Sequence, residues 1–454
     1  MNNLLIAQAC VYGFALWFGL YLLARSDGKP SLASAGLGLL TYAIGVALAS
    51  ISRFWPAIAE VVSSRYLLLA LLPAVYWFGA AASLLPETGT SDSASRVLLK
   101  PLPLTIIGLG VLIVGDSSRL LSGLAPVIFL LAALWWIWKA FRRPLPNTAL
   151  KILVTATLFF LMSFGLLILP QELVSSELAL IAMSGDMILL GYSISKLNAH
   201  EEGIALLPDM LPSLSRALIA GGAVGGQFFV LLALNESLTP PLIVLFYTTL
   251  ATVIGLFTWQ GALQKRLDQF LFGRKTRLTQ ERETLIAVAD ALPRQDTSLD
   301  VLTLDDNEFS RLTRRALSHY NDLSKLVASP LIQLPIISEQ LREKGKMDTS
   351  LERAHELRSL LEDHILQLRP ATDKDFDTGD DWRYYNALYF PYVLELKPYN
   401  VRPAPSHEDH TLQPVMEWFQ TYVPERTLYN WQTSAAKLIA RQLRETIKMK
   451  NGVI

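Results

Sequence analysis

Few residues in this chain are spaced to do chemistry, and the first to stand out is Asp186, in the run MSGDMILLGY. It lies near the middle of an apolar stretch, where a carboxylate costs on the order of 3 kcal/mol on insertion scales, so it faces a bundle interior or is protonated. It is read either as a ligand, proton or signal site, or as the acceptor of an interhelical hydrogen bond from a Ser, Thr or Tyr. The six histidines make no metal site by spacing. His407 and His410 stand three apart in a Pro-rich loop, without the HExxH register that puts two imidazoles on one helix face. A single cysteine, Cys10, excludes an intrachain disulfide and any multi-cysteine metal site. GGAVGG (221–226) sits inside an apolar span and lacks the Lys-Ser/Thr of a phosphate loop. No Ser-His-Asp order or GxSxG elbow stands out. The expectation is a protein with no catalytic, cofactor-binding or metal-ligating residues.

Composition sets the elements that hold these residues. Of 454 residues, 51% are hydrophobic and 18% charged. Residues 1–259 carry 13 Lys/Arg and 12 Asp/Glu, and residues 260–454 carry 27 and 28. This is a membrane half joined to a soluble half, each near neutral. No positive charge precedes the apolar run from Leu4 to Leu23, so that run is read as a retained first span. A span needs roughly 20 apolar residues. Candidates fall at 4–23, 32–51, 66–85, 102–115, 121–138, 150–169, 178–195, 217–234 and 241–259. The fourth is short and holds Pro103, so the count is nine, or eight if it fails to span.

Loop charges set the orientation. Arg25 and Lys29, Arg96 and Lys100, Lys139 to Lys151, Lys196 and Arg216, and Lys265 and Arg266 all fall on one side if there are nine spans. The alternate loops hold only Arg53, Arg65 and Arg119. The expected topology is an exterior N-terminus and a cytoplasmic C-terminal domain in a cell membrane. Trp55, Trp135, Trp136, Trp138 and Trp259 sit near span ends, where aromatic belts form. Gly221, Gly222, Gly225 and Gly226 give two overlapping small-xxx-small patterns, expected to let helices approach closely. Between the seventh and eighth spans, Ile204, Leu206, Leu207, Met210 and Leu211 suggest an amphipathic connector over 200–216.

Seven spans, a connector, two more spans and then LQKRLDQFLFGRK (263–275) resemble the membrane sensor modules of some bacterial signalling proteins. Phe270, Phe272, Gly273 and Arg274 match the F(F/Y)GR-like box at the exit of such modules. The resemblance covers roughly residues 1–295 and implies signal input at the membrane ahead of a kinase or transcription-regulator output. A kinase output is not expected. His319 and Pro330 echo a phospho-acceptor helix, but no Asn-rich box or glycine-rich nucleotide loop follows, so His319 is read as a surface or packing histidine.

The soluble half reads as all-α. A juxtamembrane helix and linker occupy 261–304, and a helical domain follows over 305–371, broken by Pro330 and Pro335. Leu351, Leu357, Leu360, Leu361, Ile365 and Leu368 recur at helical spacing, for a fold interior or for pairing with a second protomer. The acidic run at 371–381 marks a boundary. Over 380–450, an aromatic-rich segment, LQPVMEWFQTYV, a turn at Pro424-Glu425 and RTLYNWQTSAAKLIARQLRETIKMK follow the order of a helix-turn-helix unit. In that reading Ala435, Ala436, Leu438, Ile439 and Leu443 are buried, while Arg426, Thr427, Tyr429, Asn430, Gln432 and Lys437 meet DNA or a protein partner. Residues 426–450 hold six Lys/Arg against Glu445, a local excess that suits phosphate. The expected function is a polytopic, all-α, non-catalytic signalling protein in the lipid bilayer, its output contacting DNA or a cytosolic protein. The alternative is a transporter or membrane-complex subunit whose soluble part serves assembly.

Overall fold

A computed structural model of the chain describes residues 2–26, 29–64, 70–83, 119–140, 147–168, 175–234, 239–263, 288–292, 301–399 and 412–450, apart from 203, 262, 290 and 373. These residues form helices and turns, with no strand among them. They separate into two compact units: Met1–Ala199 with Asp209–Gly273, and His200–Pro208 with Arg274–Ile454.

The first unit contains α1 (Asn2–Ala24), α2 (Pro30–Ser52), α3 (Pro56–Ser64), α4 (Leu71–Ala82), α5 (Arg119–Ala140), α6 (Asn147–Ile168), most of α7 (Ser176–Glu202), most of α8 (Leu206–Leu234) and α9 (Pro240–Thr258). In hydrocarbon every backbone N–H and C=O must be satisfied within the segment, which makes an apolar run helical. Among the described residues six helices are long and apolar enough to cross a bilayer, in α1, α2, α6, α7, α8 and α9. Apolar stretches in α4 (Leu71–Ala82) and α5 (Leu124–Lys139) are shorter. Of the third expected span, 66–85, the described residues hold the 12-residue helix Leu71–Ala82, and the fourth, 102–115, lies outside the described residues. Residues 206–216, expected in the connector, are the opening turns of α8, which continues through Pro212 without a break.

Close helix approach occurs away from the GGAVGG run. A Cβ on Gly19 of α1 would lie 2.9 Å from the Gly36 carbonyl oxygen of α2, and one on Gly36 would lie 2.8 Å from that of Gly19. The two backbones touch, and only glycine fits at either place. Gly222, Gly225 and Gly226 of α8 have open space where a Cβ would stand. They line an apolar cleft of about 770 Å³ between α1, α8 and α9, together with Leu5, Cys10, Phe14 and Phe246. Around the α1–α2 contact the core is built on Trp17, Tyr42, Trp77, Phe160 and Phe164.

The second unit holds α10 (Asp306–Ser318), α11 (Leu323–Val327), α12 (Pro335–Glu343), α13 (Ser350–Leu366), α14 (Arg383–Leu388), α15 (Gln413–Tyr422) and α16 (Glu425–Lys450). Its helix starts carry local caps: Asp305 accepts from the Glu308 N–H, Asp322 from Lys325 and Thr349 from Glu352. Each cap satisfies one of the orphan donors that every helix start leaves. Pro330 opens a short 3-10 turn (Pro330–Gln333) and Pro335 opens α12, so both prolines stand at starts, where their missing N–H costs nothing. Gly345, in the left-handed region at φ 62°, ends α12 while the Lys346 N–H reaches back to the Leu341 carbonyl. Phe309, Leu312 and Leu317 of α10 and Leu357, Leu361 and Ile365 of α13 share a core with Ala435, Ile439 and Leu443 of α16.

Candidate functional site

Asp186 is 7% exposed on α7, among the buried Met183, Met187 and Leu190. The Ser163 hydroxyl of α6 donates to Asp186 Oδ2 over 2.7 Å. The interhelical hydrogen bond weighed from sequence is present. It anchors one carboxylate oxygen to α6, so a change at this carboxyl is felt by both helices.

A second polar cluster was hidden in the linear sequence. Asp209, 8% exposed at the start of α8, accepts from the Tyr21 hydroxyl (2.7 Å) and pairs with the Arg25 guanidinium (2.6 Å), both on α1. One turn away the Trp17 indole donates to the Ser213 hydroxyl (3.1 Å). The pattern that reveals it is the pair of stripes at four-residue spacing, Trp17-Tyr21-Arg25 and Asp209-Ser213, each of which lies along one helix face. A carboxylate enclosed here is stabilised by the charge-assisted pair and the phenol together.

The last turn of α7 belongs to the second unit, where α10 grips it. Arg311 donates to the His200 carbonyl (2.5 Å) and Arg315 pairs with Glu202 (3.0 Å). Glu308 holds Arg311 from below by an i,i+3 ion pair at 2.8 Å. His319, just past α10, is half-buried. Burial pushes its pKa down to about 4; Arg315 and Lys325 add to this, and Asp322 and Glu202 oppose it. It stays neutral at ordinary pH, in keeping with the packing role expected for it.

At the C-terminal end α15 and α16 meet at Val423-Pro424. The Trp418 and Trp431 rings stack at 6.1 Å, and Phe390, Val415, Phe419 and Leu428 form a small core below them. Arg426, Asn430 and Lys437 are exposed and, with Ser434 and Arg441, form one solvent stripe along α16. The other three expected contacts differ in exposure: Tyr429 is exposed, and Thr427 and Gln432 are half-buried. Tyr429 lies under the Arg314 guanidinium (4.3 Å) and Gln432 donates to the Ala387 carbonyl (3.2 Å). Thr427 is half-buried, its N–H bonded to the Pro424 carbonyl in the first turn. Leu438, expected in the buried face, is half-exposed, while Ala435, Ile439 and Leu443 are fully enclosed. Residues 270–274 and the histidines at 407 and 410 lie outside the described residues. Among the described residues no three or more His, Cys, Asp or Glu side chains are grouped to hold a metal ion.

No known family matches. No curated protein and no solved structure shows significant similarity to the chain either.

Proposed function

We propose that this chain is a non-catalytic integral membrane signalling protein, with nine spans, an exterior N-terminus and the second unit as its cytoplasmic output. The observation that supports the reading best is α7. This one helix carries the buried Asp186 and, 16 residues later, the Glu202 that Arg315 binds. A stimulus that breaks or remakes the Ser163–Asp186 bond turns or shifts α7, and α10 feels it through Arg311 and Arg315. The test is hydrogen exchange of the full-length protein in lipid nanodiscs. Asp186→Asn is expected to leave insertion intact and to change exchange over residues 306–318. Unchanged exchange there would return Asp186 to a packing role.

The output surface in this reading is the stripe Arg426, Asn430, Lys437 and Arg441, directed at the phosphates of duplex DNA. Base reading by Gln432 is not part of it, because its amide donates to the Ala387 carbonyl, while the exposed Tyr429 has its ring against Arg314. Phosphate contacts release counterions, so affinity for DNA should fall with rising salt, and Arg426→Ala with Lys437→Ala should weaken binding across all sequences. Full-length protein in neutral-lipid nanodiscs that shows no DNA affinity at low salt would turn the stripe into a docking face for an acidic protein.

A further inference from the structure

The apolar cleft between α1, α8 and α9 is lined on α1 from Leu5 to Trp17 and on α8 from Leu214 to Phe229. At 1.5 Å per residue it is about 20 Å long, a little more than one leaflet's share, about 15 Å, of a bilayer's hydrocarbon core. Its volume of about 770 Å³ spread over that length gives a mean section about 7 Å across. Gly222 and Gly226 keep the cleft open, because nothing lies within 4 Å of where their Cβ atoms would stand. Among the lining side chains only the Cys10 thiol and the Trp17 indole are not plain hydrocarbon, and the indole N–H is already given to Ser213. Ile6, Leu218 and Phe229 line the cleft yet are exposed, so it opens outward, onto an α8 surface that continues apolar through Ile219, Val230 and Leu234. Past the Trp17 end, Tyr21 and Arg25 hold Asp209. The cleft is thus apolar along its length and polar beyond one end, which is the build of a lipid.

We propose that this cleft is a lipid site, occupied by an acyl chain of a membrane phospholipid. Carbon contact distances make an extended chain about 4–5 Å thick, so it enters a section of this width. A helix is about 10 Å across, so one from a second copy would lie over the mouth and leave the glycine floor empty. Moving a chain from bilayer to cleft gains nothing from leaving water, since both surroundings are hydrocarbon. What holds it is close contact with walls that would otherwise face a void. The cleft offers the occupant no free N–H or O–H, so a polar ligand finds no partner along it. The proposal rests on the first unit lying in a bilayer, is separate from Asp186, and stands whether or not the chain signals.

The probe is a phosphatidylcholine with a diazirine in one acyl chain, doped into phosphatidylcholine nanodiscs that hold the full-length protein. The protein is extracted in mild detergent, washed, irradiated and mapped by mass spectrometry. Ile128 of α5 and Met162 of α6, also exposed and apolar but outside the cleft, report loosely held lipid. Adducts on the α1 and α8 segments that line the cleft should exceed those at Ile128 and Met162 several-fold. Gly222→Leu with Gly226→Leu fills the floor and should lower the cleft adducts several-fold without changing the other two. The wild-type map needs no variant, so it decides even if the leucine protein fails to fold. Adducts no denser in the cleft than at Ile128 and Met162, or undiminished by the leucines, overturn the proposal. Chains that cross-link to each other at Cys10 without lipid adducts give the cleft to a second copy and also overturn it. A protein that never enters nanodiscs would instead overturn the membrane reading, and this site with it.

Discussion

The two units differ in how they hold buried carboxylates and begin their helices. In the first, α2 and α9 begin on Pro30 and Pro240 with no side-chain cap, and the buried carboxylates find partners far along the chain: Asp186 with Ser163, and Asp209 with Tyr21 and Arg25. In the second, Asp305, Asp322 and Thr349 cap their own helices, and Arg311 pairs with Glu308 three residues away. A helix whose ends emerge from hydrocarbon meets water and headgroups there and needs no cap, whereas a polar group midway must be satisfied by another helix. A soluble helix lies in water along one face, so its short-range pairs are cheap and its ends decide where it starts. The buried carboxylates of the first unit are satisfied at long range and the helix starts of the second are capped locally, although the second unit adds long-range pairs of its own, Arg315 with Glu202 among them.

The largest expected effect tests the long-range side. Gly36→Ala puts a methyl against the Gly19 carbonyl oxygen, a backbone atom that moves only with its helix. Overpacking of this kind costs about 1–3 kcal/mol and sometimes more. Gly222→Ala meets nothing, and the gain in helix propensity is worth up to about 1 kcal/mol in its favour. Unfolding in detergent or nanodiscs should separate the two variants by sign. Equal effects would mean that the α1–α2 contact carries no special weight.

A smaller effect tests the local side. Asp305→Ala removes the acceptor for the Glu308 N–H, and losses of this type run about 0.5–2 kcal/mol. Thermal unfolding of the second unit within the full-length protein should show the loss, and Asp305→Asn should restore most of it. A variant without effect would mean that the packing of α10 on α16, not its cap, sets where that helix starts.

The same contrast explains what was legible in the sequence. Hydropathy located the apolar helices, because a span needs little besides an apolar run. Proline located the breaks at Pro330 and Pro335. Pairs were not legible. Arg25 and Asp209 are separated by most of the first unit, and no local rule joins them. The glycines illustrate this best. Gly221 to Gly226 form the more conspicuous motif, yet the backbone contact is made by Gly19 and Gly36, each single in its own helix. A small-residue pattern states that a close approach is possible, and only the partner helix decides whether it happens. At the C-terminal end Arg426, Asn430 and Lys437 stood among six contacts expected from the sequence, and these three are exposed. The internal partners of Tyr429 and Gln432 were not legible, because Arg314 and Ala387 come from other elements.

The smallest effect separates the two units by pH. All six histidines fall in the second unit, and the first has none. Burial holds His319 down to about 4, and burial also lowers His364, which is enclosed on α13 and opposed only in part by hydrogen bonds with Gln367 and Gln442 and by the Asp363 charge. A base with a depressed folded pKa binds fewer protons when native than when unfolded, between that pKa and its free value near 6.5. Stability of the second unit is therefore level above about 6.5 and falls as pH drops toward about 4. Because His319 is half-buried, solvent screens much of its share. Calorimetry of the full-length protein between about pH 8 and pH 4.5 should show the second unit's transition moving down below about 6.5. His319→Gln and His364→Gln should each flatten part of that slope. A slope untouched by both substitutions would assign the acid sensitivity to the carboxylates that cap and pair locally in this unit, Asp348 among them, whose pKa the Arg353 hydrogen bond holds below the usual carboxylate range.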